Sequence, residues 1–297
     1  MGLVPVAPAP TMNRREAELL ASIEAHLEHA VERSTLAPNL REAVRYALLG
    51  GGKRLRPILT LVCAEVSGGR REDVLDAAAA VEMVHAFSLV HDDLPALDND
   101  SLRRGRPTLH VALGEAMAIL AGDALLSLAF ESAARSPRHP DRLVAELATA
   151  TTAMITGQVL DTLGGFEASQ SPESRLQQVH VNKTGALIRA ACRMGAVGVQ
   201  APESTIELVS KWGDCVGLMF QVVDDLIDET QTAEHAGKAV GKDRAAGKLT
   251  WPSVHGLEAT RREIERLVEQ SRVVVEPLGA DAAPLREIAD VLAARTR

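Results

Sequence analysis

The sequence predicts an all-α fold, a single-domain helical bundle, and three observations carry that prediction. Aromatic residues are only 2% of the 297 residues, whereas sheet-rich chains draw heavily on Tyr, Phe and Trp. Long segments repeat their apolar residues at helical spacing, and Ala and Leu, both strong helix formers, dominate them. No convincing hairpin and no βαβ alternation interrupts them. With 46% hydrophobic and 24% charged residues, the chain can build a sizeable core.

The elements follow in order. The opening MGLVPVAPAP is Pro-rich, lacks the layout of a secretory signal, and has Val6 where myristoylation needs Ser or Thr. Residues 1–12 are expected to be a flexible tail before one domain over 13–297. NRREAELLASIEAHLEHAVERS puts Leu19, Leu20, Ile23, Leu27, Ala30 and Val31 on one face, with charges opposite. NLREAVRYALLGGGKRLRP is a helix stopped by three glycines, and RPILTLVCAEVSGG a buried helix ended by a glycine pair. REDVLDAAAAVEMVHAFSLVHDD starts with acidic residues, as a helix N-terminus favours. Five more segments read the same way: GEAMAILAGDALLSLAFESAARS, DRLVAELATATTAMITGQVLDTLGG, SRLQQVHVNKTGALIRAACRMGAVG, STIELVSKWGDCVGLMFQVVDDLIDE and RREIERLVEQSRVVVEPLG. APLREIADVLAARTR closes the chain.

Composition also excludes. A net charge of −8 argues against general nucleic-acid binding. Uncharged apolar runs fall short of the ~20 residues of a membrane span, so none is expected. Cys63, Cys192 and Cys215 are scattered and read as reduced core residues of a cytoplasmic protein.

Two acidic clusters stand out, each ending an apolar helix. HDDLPALDND supplies Asp92, Asp93 and Asp98, with Pro95 breaking the helix; VVDDLIDE supplies Asp224, Asp225 and Asp228. Asp224 and Asp228 are four apart, on one helix face, where like charges repel. Either water solvates these ends or a cation occupies them. Paired hard oxygen donors suit Mg²⁺ shared with a phosphate. The EF-hand pattern fails, because DNDSLRRGRPTL lacks the loop glycine and the final Glu. Cationic groups accompany the acids: Lys53, Arg54 and Arg56; Arg103, Arg104 and Arg106; Lys183 with Thr184; Lys238, Lys242 and Lys248. Each alone reads more readily as a solvated turn than as a binding group. No P-loop is present, since Gly241-Lys242 is followed by Asp243.

Together these blocks resemble the trans-isoprenyl diphosphate synthases (polyprenyl synthetases) of the short-chain bacterial farnesyl and geranylgeranyl type. DDLPALD is similar to the family's first aspartate motif in its DDxxxxD form, and DDLID to its second. GGKRLRP, LRRGRPTLH, GQVLD, KTGALI and GKDRAAGK follow the family order, so the likeness spans nearly the whole chain from about Arg15. It implies an isoprenoid-synthase-type bundle with a deep central cavity, the two motifs facing at its mouth, and a homodimer. The implied reaction condenses isopentenyl diphosphate head-to-tail with an allylic diphosphate.

The resemblance also implies roles. Asp92, Asp98 and Asp224 hold Mg²⁺, assisted by Asp93, Asp225 and Asp228. Three ions are expected with substrate bound, and Mn²⁺ can substitute. Arg103, Lys183, Lys248 and Lys238 neutralise the allylic diphosphate, while Thr184 and Gln221 face the cation that forms. Lys53, Arg56, His85 and Arg104 take isopentenyl diphosphate. Only the likeness lifts His85 above an ordinary core histidine. Gln158 and Asp161 either line the cavity or pack. For chain length the family points to Phe87, the fifth residue before the motif, whereas helical phase brings Ser88 nearer the Asp92 face. An aromatic there favours farnesyl over geranylgeranyl diphosphate. A class I terpene cyclase and a non-catalytic partner subunit are the alternatives, and two intact motifs argue against both.

Overall fold

The computed structural model describes residues 14–230 and 248–295. The expected tail over residues 1–12, and Lys238 and Lys242, lie outside the described residues. The helices are α1 (Arg14–Glu32), α2 (Pro38–Leu48), α3 (Leu55–Val66), α4 (Leu75–Asp92), α5 (Leu109–Leu113), α6 (Glu115–Arg135), α7 (Pro140–Thr162), α8 (Pro172–Val179), α9 (Ala186–Gly198), α10 (Glu203–Thr230), α11 (Trp251–His255), α12 (Leu257–Val275) and α13 (Ala283–Ala294).

The all-α expectation holds, and the reasons are local. On α1, Leu19, Ile23, Leu27, Ala30 and Val31 are buried, while Leu20 is only partly covered. Helix α4 is apolar almost all round and therefore sits inside, against α1, α3, α6 and α9. Small residues let neighbours close in. A Cβ placed on Gly195 of α9 would lie 2.2 Å from the Thr60 carbonyl oxygen of α3. Alanine and glycine richness thus becomes short distances between backbones.

Three expectations need correction. SRLQQVHVNKTGALIRAACRMGAVG is not one regular helix, because a π-helical turn at His180–Gly185 separates α8 from α9. There is also a minimal hairpin, with β1 (Leu102–Arg103) antiparallel to β2 (Arg106–Pro107). Arg104 and Gly105 both have positive φ, 52° and 73°, which a two-residue turn of matching twist requires. Finally, three helical stretches are long and apolar enough to cross a membrane by length and composition: Arg71–Asp92, Glu115–Arg135 and Pro140–Thr162. Counting only uncharged runs missed them. Their apolar windows are 67%, 50% and 33% buried inside the bundle, so core packing explains most of the apolarity of the first and much of the second. On α7 the remainder includes exposed Ile155 and Val159.

Arg54 caps α3 in the left-handed region, with φ 48°, and is only 3% exposed. Its Nε donates to Glu24 Oε1 at 2.7 Å, Nη1 to Glu82 Oε1 at 2.8 Å, and Nη2 to the Leu48 carbonyl at 2.7 Å. One guanidinium therefore ties α1, α2 and α4 to the start of α3. Arg54→Ala would leave Glu82 charged, buried and unpartnered. The expected cost is about 3 kcal/mol, read as a lowered midpoint in urea denaturation.

Candidate active site

The second acidic cluster sits on the last turns of α10, whose inner face is apolar. Asp225 is 4% exposed and both its oxygens are engaged. Oδ1 accepts from Gln221 Nε2 at 2.9 Å, Oδ2 from the Trp251 backbone N–H at 2.8 Å, and His180 Nε2 lies 3.3 Å from Oδ2. Gln221 Oε1 accepts from Thr184 Oγ1 at 2.8 Å. This relay joins the π-helical turn, α10 and α11. Asp224 instead meets the far end of the chain, with Arg295 Nη2 2.9 Å from Oδ1 and the guanidinium 5.0 Å above the Phe220 ring.

The first cluster closes α4. The chain turns after Pro95, and the Asp98 N–H donates to the Asp92 carbonyl at 2.9 Å, which folds Asp98 back onto the helix end. Asp93 is buried and gripped bidentately by Arg103, Nε to Oδ2 at 2.8 Å and Nη2 to Oδ1 at 2.6 Å. The hairpin presents that arginine. Asp92 differs. Burial, with Asp98 and Asp93 close by, pushes its carboxyl up to about 6, despite opposing attraction from Lys183 and Arg103.

A cationic group collects beside it. The Arg104 Nη1 donates to the Gly51 carbonyl. Gly52 packs against that same guanidinium, and its φ of 143° is a conformation that favours glycine in the loop carrying Lys53. Lys53 itself is exposed. Burial, then Arg56, Arg104, Arg103 and Arg54, hold the His85 imidazole well below its ordinary range, so it is neutral at pH 7. Asp224 acts electrostatically on Arg56, which places the start of α3 near the second cluster. A small open pocket lies between α2, α4 and the hairpin, lined among others by Glu82, His85, Asp93, Arg103 and Arg104. No residue of the second cluster lines it.

Lys183 belongs to the π-helical turn. A Cβ on Gly157 of α7 would lie 2.2 Å from the Lys183 backbone nitrogen, so the two segments touch through their backbones. One turn further along α7, Asp161 Oδ2 accepts from Lys183 Nζ at 2.6 Å and from Lys248 Nζ at 2.9 Å. Asp161 is therefore tied to two of the expected phosphate-binding cations. Gln158 bonds Thr162 Oγ1 at 3.2 Å within its own helix. Phe87 is buried, edge-on to His91 with ring centroids 5.0 Å apart. His91 occupies the space above Gly122 of α6. Ser88 donates to the His85 carbonyl at 2.9 Å.

Sequence reasoning missed the anchoring by Arg54, the pairing of Arg295 and the contact at Gly157. The Arg104-Gly105 pair was the available signal for the hairpin; Arg295, near the chain end, offered none.

Residues 37–277 match the family model for polyprenyl synthetase. The chain belongs to the polyprenyl synthetase family. It is 44% identical over 264 residues to geranylgeranyl pyrophosphate synthase 4 of Arabidopsis thaliana, covering 86% of this chain and 71% of that one. It is 43% identical over 267 residues to the heterodimeric geranylgeranyl pyrophosphate synthase large subunit 1, chloroplastic, of the same plant, covering 86% and 72%. Among solved structures, a geranyltransferase from Legionella pneumophila superposes with TM-score 0.82 at 31% identity, over 95% of this chain and 97% of that one. An FPP/GFPP synthase from Zymomonas mobilis gives 0.78 at 32%, over 94% and 97%. This polyprenyl synthetase is a short-chain trans-prenyltransferase with the all-α fold of those neighbours.

Members of the family use divalent metal. Among the described residues, no three His, Cys, Asp or Glu side chains converge closely enough to hold an ion by themselves. The donor chemistry nonetheless fits Mg²⁺: Asp92 and Asp98 on one side and Asp224 and Asp228 on the other offer only hard oxygens. Asp92 has its charged form disfavoured by burial and like charges, the condition a divalent ion relieves.

That condition has a thermal signature. A carboxyl raised from 3.8 to about 6 makes the folded state hold its proton more tightly than the unfolded chain. Stability therefore falls as pH climbs from about 4 to 6 and stays low above. Asp92→Asn removes the ionisation. Without metal, the variant should be more stable than the parent by about 3 kcal/mol above pH 6. The gain should fade toward pH 4, as read from melting temperatures across that range.

Proposed function

We propose that the enzyme joins isopentenyl diphosphate to an allylic diphosphate, releasing pyrophosphate, and that its main product is the C15 farnesyl diphosphate. The observation that carries the reaction is the pair of cation sets around the aspartates. Lys183 and Lys248 meet on Asp161, with Lys183 acting on Asp92, whereas Arg56, Arg104 and His85 lie close together around α3, α4 and the hairpin, and Arg103, bound to Asp93, acts on both Asp92 and His85. Two anionic substrates need two such grips.

Asp92, Asp98, Asp224 and Asp228 would hold Mg²⁺, which supplies charge neutralisation of the leaving diphosphate. Lys183, Lys248 and Arg103 add fixed positive charge to the same oxygens. The allylic C–O bond breaks, leaving an allylic cation and pyrophosphate. The Thr184 and Gln221 oxygens, oriented by the relay to Asp225, stabilise the cation. The isopentenyl alkene attacks it, forming the new C–C bond. A proton then leaves to a pyrophosphate oxygen, because neutral His85 among four arginines is a poor base. His85 serves as a hydrogen-bonding partner for the second diphosphate.

The buried ring of Phe87 supports C15. It lies five residues before Asp92, about 7.5 Å back along the helix axis, and its packing against His91 over Gly122 keeps it from swinging aside. A C20 product is the second reading, favoured by the names of the Arabidopsis relatives at 42–45% identity. A homodimer is supported by side-by-side exposed apolar residues Ile119 and Leu120 on α6 and Ile155, Val159 and Leu163 at α7. The three buried free cysteines suit the reducing cytoplasm.

Incubation of geranyl diphosphate with excess isopentenyl diphosphate and Mg²⁺ should give mainly C15, and Phe87→Ala should lengthen the product to C20 or beyond. Mainly C20 from the parent enzyme would select the second reading. Arg56→Ala should raise KM for isopentenyl diphosphate about tenfold or more, the scale of one lost charge-assisted hydrogen bond. Lys183→Ala should act chiefly on the allylic substrate.

A further inference from the structure

Asp161 is an acid inside a grip meant for anions. It stands on α7, 14% exposed, and a single oxygen receives both Lys183 Nζ and Lys248 Nζ. Those lysines come from segments far apart in the chain, the π-helical turn and the stretch leading into α11. Left alone, two ammonium groups at that separation repel each other and turn toward water. Burial raises the Asp161 carboxyl, but Lys183 and Lys248 outweigh it and hold it below the usual range, so it is ionised at pH 7. Its place is set by backbone contact, because Gly157, one turn earlier on the same face, abuts Lys183 itself.

We propose that Asp161 is a positioning residue that holds Lys183 and Lys248 together as a two-pronged grip for the allylic diphosphate. An ammonium has three donors. One donor from each lysine stays on Asp161 Oδ2, leaving two on each for phosphate oxygens. Asp161 thus organises the grip without competing for it, and the entropy of ordering two long side chains is met before substrate arrives. This rests on the prenyltransferase reading above and names how its allylic site is assembled.

The test compares Asp161→Ala, Asp161→Asn and Asp161→Glu with the parent. Steady-state kinetics in both substrates are joined to calorimetric binding of inorganic pyrophosphate with Mg²⁺. Asp161→Ala should raise the allylic KM and the pyrophosphate Kd about tenfold or more, as expected for lost charge-assisted hydrogen bonds. KM for isopentenyl diphosphate should stay within about twofold, since distant sites act nearly independently. Asp161→Asn should fall between, and Asp161→Glu should recover part of the loss. In a double-mutant cycle, Lys183→Ala should cost less in the Asp161→Ala background than in the parent, because the lysine has already lost its direction. Equal changes in both KM values, or additive effects in the cycle, would overturn the proposal. Should Asp161→Ala fail to fold, the Asn and Glu variants decide by the same criteria. A parent enzyme that binds no pyrophosphate and makes no product from the two substrates would reject the functional reading itself, which is a different result.

Discussion

Carboxylates at the ends of apolar helices need counter-charge, and the arrangement of this molecule depends on that need. Two charges 4 Å apart interact by about 4 kcal/mol at the effective dielectric near a protein surface, enough to decide where a flexible cation rests. Glu82 takes Arg54, Asp93 takes Arg103, Asp161 takes Lys183 and Lys248, and Asp224 takes Arg295. All but Asp93–Arg103 join residues more than twenty positions apart. The first two pairings bind α3, α4 and the hairpin together, and the others bind α7 to the π-helical turn and α10 to α13. Among the described residues Asp92 makes no such ion pair, and burial, with Asp98 and Asp93 nearby, raises its carboxyl against the pull of Lys183 and Arg103.

The basic residues divide by what they touch. Arg54 is spent on the fold, with three protein acceptors and almost no exposure. Arg56, two residues later, has a buried Nε without a hydrogen-bond partner, consistent with an anion as its intended acceptor. Both Arg54 and Arg104 have left-handed backbone. Adjacent arginines in one short block do different work.

Small residues supply the geometry. Gly157 brings α7 against the π-helical turn, and Gly217 brings α10 to within 2.9 Å, measured from its would-be Cβ, of the Gly185 Cα at the other end of that turn. A π-helical turn inserts one residue per turn and shifts the facing of the residues after it. Here it lets Lys183 point to α7 while Thr184 reaches Gln221 on α10.

Much of this was legible in the sequence. Helical periodicity and scarce aromatics determined the all-α class. Seven motif blocks in the family order, from GGKRLRP to GKDRAAGK, carried the resemblance to the family. Which cation meets which carboxylate was decided by the tertiary structure alone. Arg295 finds Asp224 from the far end of the chain, and Lys248 finds Asp161 across 87 positions. Pairings of that kind depend on where helices pack, which no local spacing encodes. The π-helical turn and the short hairpin were hidden for a related reason. Both are small departures from local preference, held in place by contacts with α7, α10 and the glycine loop that exist only once the chain has folded.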